Sequence, residues 1–195
     1  MKQNVYILVM DGLADWEPSF ALAEINKSGK YNVVSVGFTR QPVITMGGLK
    51  LIPDIVVGDV QLAEAALFIL PGGSMWEHFL DIGFSKFLQD LHKAQVPIAA
   101  ICGATLTVIR AGLTHEVYHT SNDLQYLQYI LPDYTDTAYY VNEFATSDRN
   151  IITANGLGSI EFAREIFKQL QLFSDEGIEN WYQMFKHGIY TPVIA

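Results

Sequence analysis

Apolar residues fall along this chain in two rhythms. Short unbroken runs occur at Val5–Met10, Ala65–Leu70, Val96–Ile101 and Ile151–Ala154, and a looser one at Tyr31–Phe38. Each is bounded by glycine, proline, asparagine or charge, which suits strands buried on both faces, as in a parallel sheet. Between them apolar residues recur at helical spacing. A helix is predicted from Asp15-Trp16-Glu17-Pro18, with Phe20, Ala21, Leu22 and Ile25 as its stripe and Gly29 as its C-cap. Others are predicted over Phe84–Ala94, Gly103–Ala111, Asn122–Leu131 and Glu176–His187, and one with Ser159 as N-cap runs through Leu170. Gly47-Gly48 marks a hairpin within Thr45–Ile52, and Thr137–Ala145 reads as a strand.

Strands alternating with helices imply right-handed βαβ units. The expected fold is α/β: a flavodoxin-like three-layer sandwich with a mostly parallel central sheet. No repeat or linker divides the 195 residues, so one unit over 1–195 is expected, with a C-terminal helix at about 175–188 packing outside.

Charge and composition narrow the function classes. Lys plus Arg number 12 against 21 Asp plus Glu, a formal net charge of −9. Such a chain is repelled by phosphate backbones, so nucleic acid is not an expected partner. The six-residue run after Met1-Lys2-Gln3-Asn4 is too short for a secretory core, and no apolar stretch approaches membrane-span length; a cytoplasmic protein without a membrane partner is expected. One cysteine makes neither an internal disulfide nor a thiolate-rich zinc site, so no metal is expected.

In open α/β sheets ligands bind beyond the carboxyl ends of the strands. That rule selects Gly12–Glu17, Pro71–Trp76, Cys102-Gly103 and Asn155–Gly158. In Ala99-Ala100-Ile101-Cys102-Gly103-Ala104-Thr105 a buried strand turns at once into a helix with cysteine at the join, as in a nucleophile elbow. A helix N-terminus favours thiolate over thiol, so a reactive Cys102 thiolate is expected; the alternative is an inert core cysteine. Leu70-Pro71-Gly72-Gly73 offers backbone N–H groups that, with Gly103, suit an oxyanion hole, or forms an ordinary turn. Asp15 and Trp76 are further pocket candidates, Trp76 equally a packing residue.

These blocks resemble the ThiJ/PfpI family of the class I glutamine-amidotransferase-like superfamily. The resemblance rests on Val5-Tyr6-Ile7-Leu8 with Glu17, on Leu70-Pro71-Gly72-Gly73, on Ala99-Ala100-Ile101-Cys102-Gly103, and on Ile152-Thr153-Ala154-Asn155-Gly156-Leu157-Gly158-Ser159-Ile160-Glu161-Phe162-Ala163. It implies that Glu17 hydrogen-bonds the Cys102 sulfur with its carboxyl protonated, and that His119 lies near the cysteine as base or positioning group. Asn155 and Gly156 become pocket residues. It also implies a homodimer or larger homo-oligomer, to which the aromatic-rich tail (Trp181, Tyr182, Phe185, Tyr190) contributes unless it wraps its own core. The departures limit the activity. Gly103 stands where protease-like members carry histidine, and neither the late His-x-Glu pair nor the glutamine after the cysteine of amidotransferases is present. The expected function is a cysteine-dependent hydrolase or hydratase acting on a small carbonyl, amide or isonitrile-like substrate. The alternatives are a redox-sensing stress-response thiol and an intracellular cysteine peptidase. No cofactor is expected: Asp11-Gly12-Leu13-Ala14-Asp15 is no phosphate-binding glycine fingerprint, and its acids repel phosphate.

Overall fold

The computed structural model describes residues 2–190; the ends of the expected 1–195 unit, residue 1 and residues 191–195, lie outside the described residues. In chain order the elements are β1 (Asn4–Leu8), α1 (Trp16–Ser28), β2 (Asn32–Gly37), β3 (Val43–Ile44), β4 (Lys50–Leu51), β5 (Ile55–Val56), β6 (Ala65–Leu70), α2 (Phe84–Lys93), β7 (Ile98–Ile101), α3 (Thr105–Arg110), α4 (Leu124–Ile130), β8 (Ala145–Asp148), β9 (Ile151–Ala154), α5 (Ser159–Leu170) and α6 (Asp175–His187).

Seven strands form one sheet in the order β5-β2-β1-β6-β7-β9-β8, parallel throughout except for β8, which runs antiparallel to β9. Buried runs become parallel strands because both faces are covered by helices. Tyr6, Leu8, Phe68, Leu70, Ile98 and Ala100 pack with Phe84, Leu88, Leu106 and Leu127 on one side. Their chain neighbours Val5, Ile7, Leu67, Ile69, Ala99 and Ile101 pack with Ala21, Ile25, Phe162 and Trp181 on the other. The three-layer α/β architecture expected from the pattern is therefore present, with alternate side chains of each strand feeding opposite cores.

Three expectations are corrected. Thr137–Ala145 is not a strand: Thr137–Tyr139 is a 3₁₀ turn, and only Ala145–Asp148 pairs, one hairpin arm against β9. Tyr139 and Tyr140 pack edge-on against Tyr118 and His119, so their rings are partly covered without extended pairing. The helix after Cys102 begins later than expected, because Cys102–Ala104 is a 3₁₀ turn and α3 has only six residues. Ser159 is the first residue of α5 rather than its cap, a place taken by Gly158.

The C-terminal helix lies where the pattern placed it. Ser174 caps it by accepting from the Gly177 N–H at 3.1 Å, and Gly188 ends it at φ 70°. Trp181 meets Phe167 edge-on at 4.7 Å and Phe185 at 4.8 Å. Those aromatics of the tail wrap this chain's own core. Among the described residues no helix is long and apolar enough to cross a membrane.

Candidate active site

Strand registers bring the sequence-distant segments together. Leu70 pairs with Ala100 and Ile101 with Ala154, so Pro71–Gly73, Cys102-Gly103 and Asn155-Gly156 emerge side by side at the carboxyl edge. The loop after β1 joins them: the Ala14 N–H donates to the Gly72 carbonyl at 3.0 Å, and Leu13 bridges Gly73. The four segments selected from sequence do converge.

Cys102 has φ +59°, left-handed backbone that a non-glycine residue adopts at a cost of about 1–2 kcal/mol. The turn is the expected elbow, and it leaves the side chain partly exposed. Thr105 ties it down, its hydroxyl donating to the Cys102 carbonyl at 2.7 Å and meeting Ser121 Oγ at 2.7 Å.

Around the sulfur the packing admits only glycines. A Cβ on Gly156 would lie 3.0 Å from Sγ. A Cβ on Gly72 would lie 2.5 Å from Glu17 Oε2 and 2.6 Å from Cys102 Cβ, and one on Gly103 would lie 3.0 Å from the Gly73 carbonyl and 3.3 Å from Trp76 Cβ. Here glycine is needed for close approach, since a methyl group would occupy the volume of the reacting atoms.

Glu17, in the first turn of α1, is 1% exposed, and its Oε2 accepts the Gly72 N–H at 2.5 Å. The carboxyl and the Cys102 thiol are hydrogen-bonded. Burial pushes the carboxyl up from its usual 4.5 to about 7, against the opposing hydrogen bonds from Gly72 and Cys102. Burial first, and then the Glu17 charge, push the thiol up to about 11, against hydrogen bonds from the Asn122 side chain and the Gly103 N–H. The expectation that the elbow alone depresses the thiol pKa is therefore corrected. Desolvation outweighs the stub of helix that follows, and Cys102 and Glu17 titrate as a pair. Between about 7 and about 11 that pair holds one proton.

The remaining predicted residues separate into near and far. Gly72 spends its N–H on Glu17, so it is a clamp and not an oxyanion donor. The Gly103 N–H points at the sulfur. Asn155 shapes its turn by accepting the Leu157 N–H on Oδ1 at 3.0 Å, and it leaves Gly156 against Sγ. Trp76 is fully buried, donates from its indole to the Pro71 carbonyl at 2.8 Å, and buttresses Gly103 from beneath. Asp15 accepts the Gly47 N–H at 2.6 Å, which pins the β3–β4 hairpin over the α1 start; it does not reach the thiol.

His119 is not a base for this cysteine. It is 0% exposed, Nδ1 donates to the Val117 carbonyl at 2.7 Å, and Nε2 meets the Tyr134 hydroxyl at 2.6 Å. With both nitrogens engaged it braces together the segments on either side of α4, and burial lowers its pKa.

Asn122 was missed as a site residue. Its Oδ1 accepts the Gly156 N–H at 3.0 Å while its side chain also contacts the Cys102 sulfur. The sequence assigns it to a helix, but Asp123 caps α4 by accepting the Tyr126 N–H at 2.7 Å, so α4 starts at Leu124 and Asn122 faces the site. The available signal was the cluster Thr120-Ser121-Asn122-Asp123, whose residue types favour caps over helix interiors.

Fold and site together define a class: parallel α/β sandwiches with a strained cysteine elbow and a buried carboxyl beside the sulfur. Comparison with known proteins narrows it further. The DJ-1/PfpI family model matches residues 3–169, and the chain belongs to that family. It is 37% identical over 192 residues to the uncharacterized protease YoaZ of Bacillus subtilis, covering 94% of this chain and 91% of the relative. It is 30% identical over 198 residues to the uncharacterized protease YdeA of the same organism, covering 97% and 94%. The crystal structure of a thiJ/pfpI family protein from Bacillus anthracis superposes with TM-score 0.89 at 32% identity, covering 97% of this chain and 92% of the other.

Proposed function

We propose that this protein is a cysteine-dependent enzyme of the hydrolase or hydratase type, acting on a small molecule with an electrophilic carbon such as a carbonyl, amide or isonitrile. The reading is carried by one observation: a partly exposed sulfur at φ +59° is hydrogen-bonded to a buried carboxyl whose pKa is about 7. A carboxyl poised there accepts the thiol proton as sulfur attacks and returns it afterwards, the protonation match that general acid–base catalysis requires. In the first step the S–C bond forms, the π electron pair moves to the heteroatom, and the thiol proton passes to Glu17. The N–H of Gly73, next to the Glu17-bound Gly72, is the donor for the developing negative charge.

The relatives named as proteases suggest peptide hydrolysis, which the site supports less well. Gly103 follows the cysteine, and the His119 imidazole is spent on Val117 and Tyr134. That arrangement favours small substrates over peptides.

Purified protein is expected to turn over a 2-oxoaldehyde or a small isonitrile, and Cys102→Ala to reduce that turnover to background. Undiminished turnover in Cys102→Ala removes the cysteine from the mechanism. Selective peroxide oxidation of Cys102, with no turnover of either probe, transfers the assignment to redox sensing.

A further inference from the structure

Asn155-Gly156, which follows β9, is the one Asn-Gly pair in the sequence. Asparagine is a heat-labile residue, and a following glycine increases the hazard: with no Cβ, its amide nitrogen approaches the asparagine carboxamide unhindered. Both residues are half-buried and Leu157 beyond them is exposed, so water reaches the pair. Two hydrogen bonds restrain the atoms that would react. The Gly156 N–H donates to Asn122 Oδ1 at 3.0 Å, which engages the proton the nitrogen would have to lose. Asn155 Oδ1 accepts the Leu157 N–H at 3.0 Å, which fixes the carboxamide. The first restraint reaches across 34 residues of sequence and depends on one side chain, itself exposed. The sulfur stands against the same glycine: a Cβ on Gly156 would lie 3.0 Å from Sγ and 3.4 Å from Asn122 Oδ1.

We propose that Asn155 is a deamidation site whose reaction disables the cysteine centre, and that Asn122 holds that reaction back. Once its N–H is released, the Gly156 nitrogen attacks Asn155 Cγ. The N–Cγ bond forms, the Cγ–Nδ2 bond breaks, and ammonia leaves with the proton from the glycine nitrogen. Water then opens the resulting succinimide at either carbonyl, giving aspartate or isoaspartate. The net change is hydrolysis of one amide, with water as the only co-reactant. Either product adds a negative charge next to Gly156, and like charge opposes ionisation of the Cys102–Glu17 pair. Isoaspartate also lengthens the backbone by a methylene, in a turn that has no room to move towards Sγ.

Wild type, Asn122→Ala and Asn122→Asp are held in mildly alkaline buffer below their unfolding temperatures, and aspartate plus isoaspartate at position 155 are quantified by peptide mapping. Asn122→Ala is expected to react about fivefold faster than wild type, the rate equivalent of one ordinary hydrogen bond. Asn122→Asp keeps an acceptor for the Gly156 N–H and is expected to react no faster than wild type. Equal rates in wild type and Asn122→Ala overturn the restraint, and equal acceleration in both variants overturns it in favour of a general loosening of the loop. No product at position 155 in Asn122→Ala overturns the site itself. Within one aged Asn122→Ala preparation, the modified fraction is expected to lose iodoacetamide labelling of Cys102 relative to the unmodified fraction; equal labelling overturns the disabling effect. The deamidation rates involve no turnover, so their failure leaves the proposed cysteine chemistry intact.

Discussion

Glu17→Gln is expected to be more stable than the wild-type protein at pH 8 by roughly 3 kcal/mol, and no more stable at pH 4.5. Folding buries the carboxyl and raises its pKa from 4.5 to about 7, so the folded protein binds this proton more tightly than the unfolded chain. The raised pKa therefore stabilises the fold fully below 4.5, and that contribution is lost as pH rises through about 7. Above that point the wild-type protein carries a buried carboxylate, held by the Gly72 N–H, whereas glutamine accepts the same hydrogen bond without charge. Denaturant unfolding of both proteins at the two pH values checks this, and equal stability at pH 8 contradicts it. The same substitution removes the proton acceptor and is expected to lower turnover by at least about a hundredfold. Stability lost for the sake of reactivity is the pattern of a functional group.

Gly72→Ala is expected to disable the site as thoroughly while weakening the fold. Its Cβ would stand 2.5 Å from Glu17 Oε2 and 2.6 Å from Cys102 Cβ, distances that force something to move. Neither neighbour yields easily. Glu17 is enclosed by the core, and Cys102 Cβ is fixed by a left-handed backbone between β7 and α3. Overpacking of this kind costs roughly 1–3 kcal/mol. Displacing carboxyl and sulfur by the better part of an ångström is expected to reduce turnover about a hundredfold. Thermal unfolding and turnover are measured on the same preparation; a variant of wild-type stability and activity would show that the pair is not held this tightly.

The sequence disclosed the parts of this molecule that local patterns encode. Buried runs such as Ala65–Leu70 and Ile98–Ile101 announced strands because nothing polar interrupts them, and Gly29 ended α1 with φ 65° as its type suggests. Cys102, Glu17 and the glycines were legible because strand ends must converge in an open α/β sheet. The segments flanking α4 were opaque. Nothing in Tyr118-His119-Thr120 reveals that Tyr134 and Tyr140 will enclose the imidazole, and nothing in Asn122 itself reveals what it will face. These are tertiary contacts with no periodicity. The thiol pKa was misjudged on magnitude: a helix terminus contributes about 0.3–1 kcal/mol, whereas burial shifts a fully enclosed group by as much as about 3–5 pH units.

The account depends on Cys102 and Glu17 sharing one proton across the neutral range. The most direct measurement is the rate of Cys102 alkylation by iodoacetamide between about pH 5 and about pH 10, on wild type and on Glu17→Gln. The wild-type rate is expected to rise up to about 7, level off while the ionised carboxylate keeps the remaining proton on sulfur, and rise again only towards about 11. Glu17→Gln, freed of the carboxylate charge that helps hold the thiol protonated, is expected to lose that levelling and to rise in one step, centred below about 11. A single rise near about 8.5, the same in both proteins, would mean the sulfur titrates as an ordinary thiol and would contradict the shared proton.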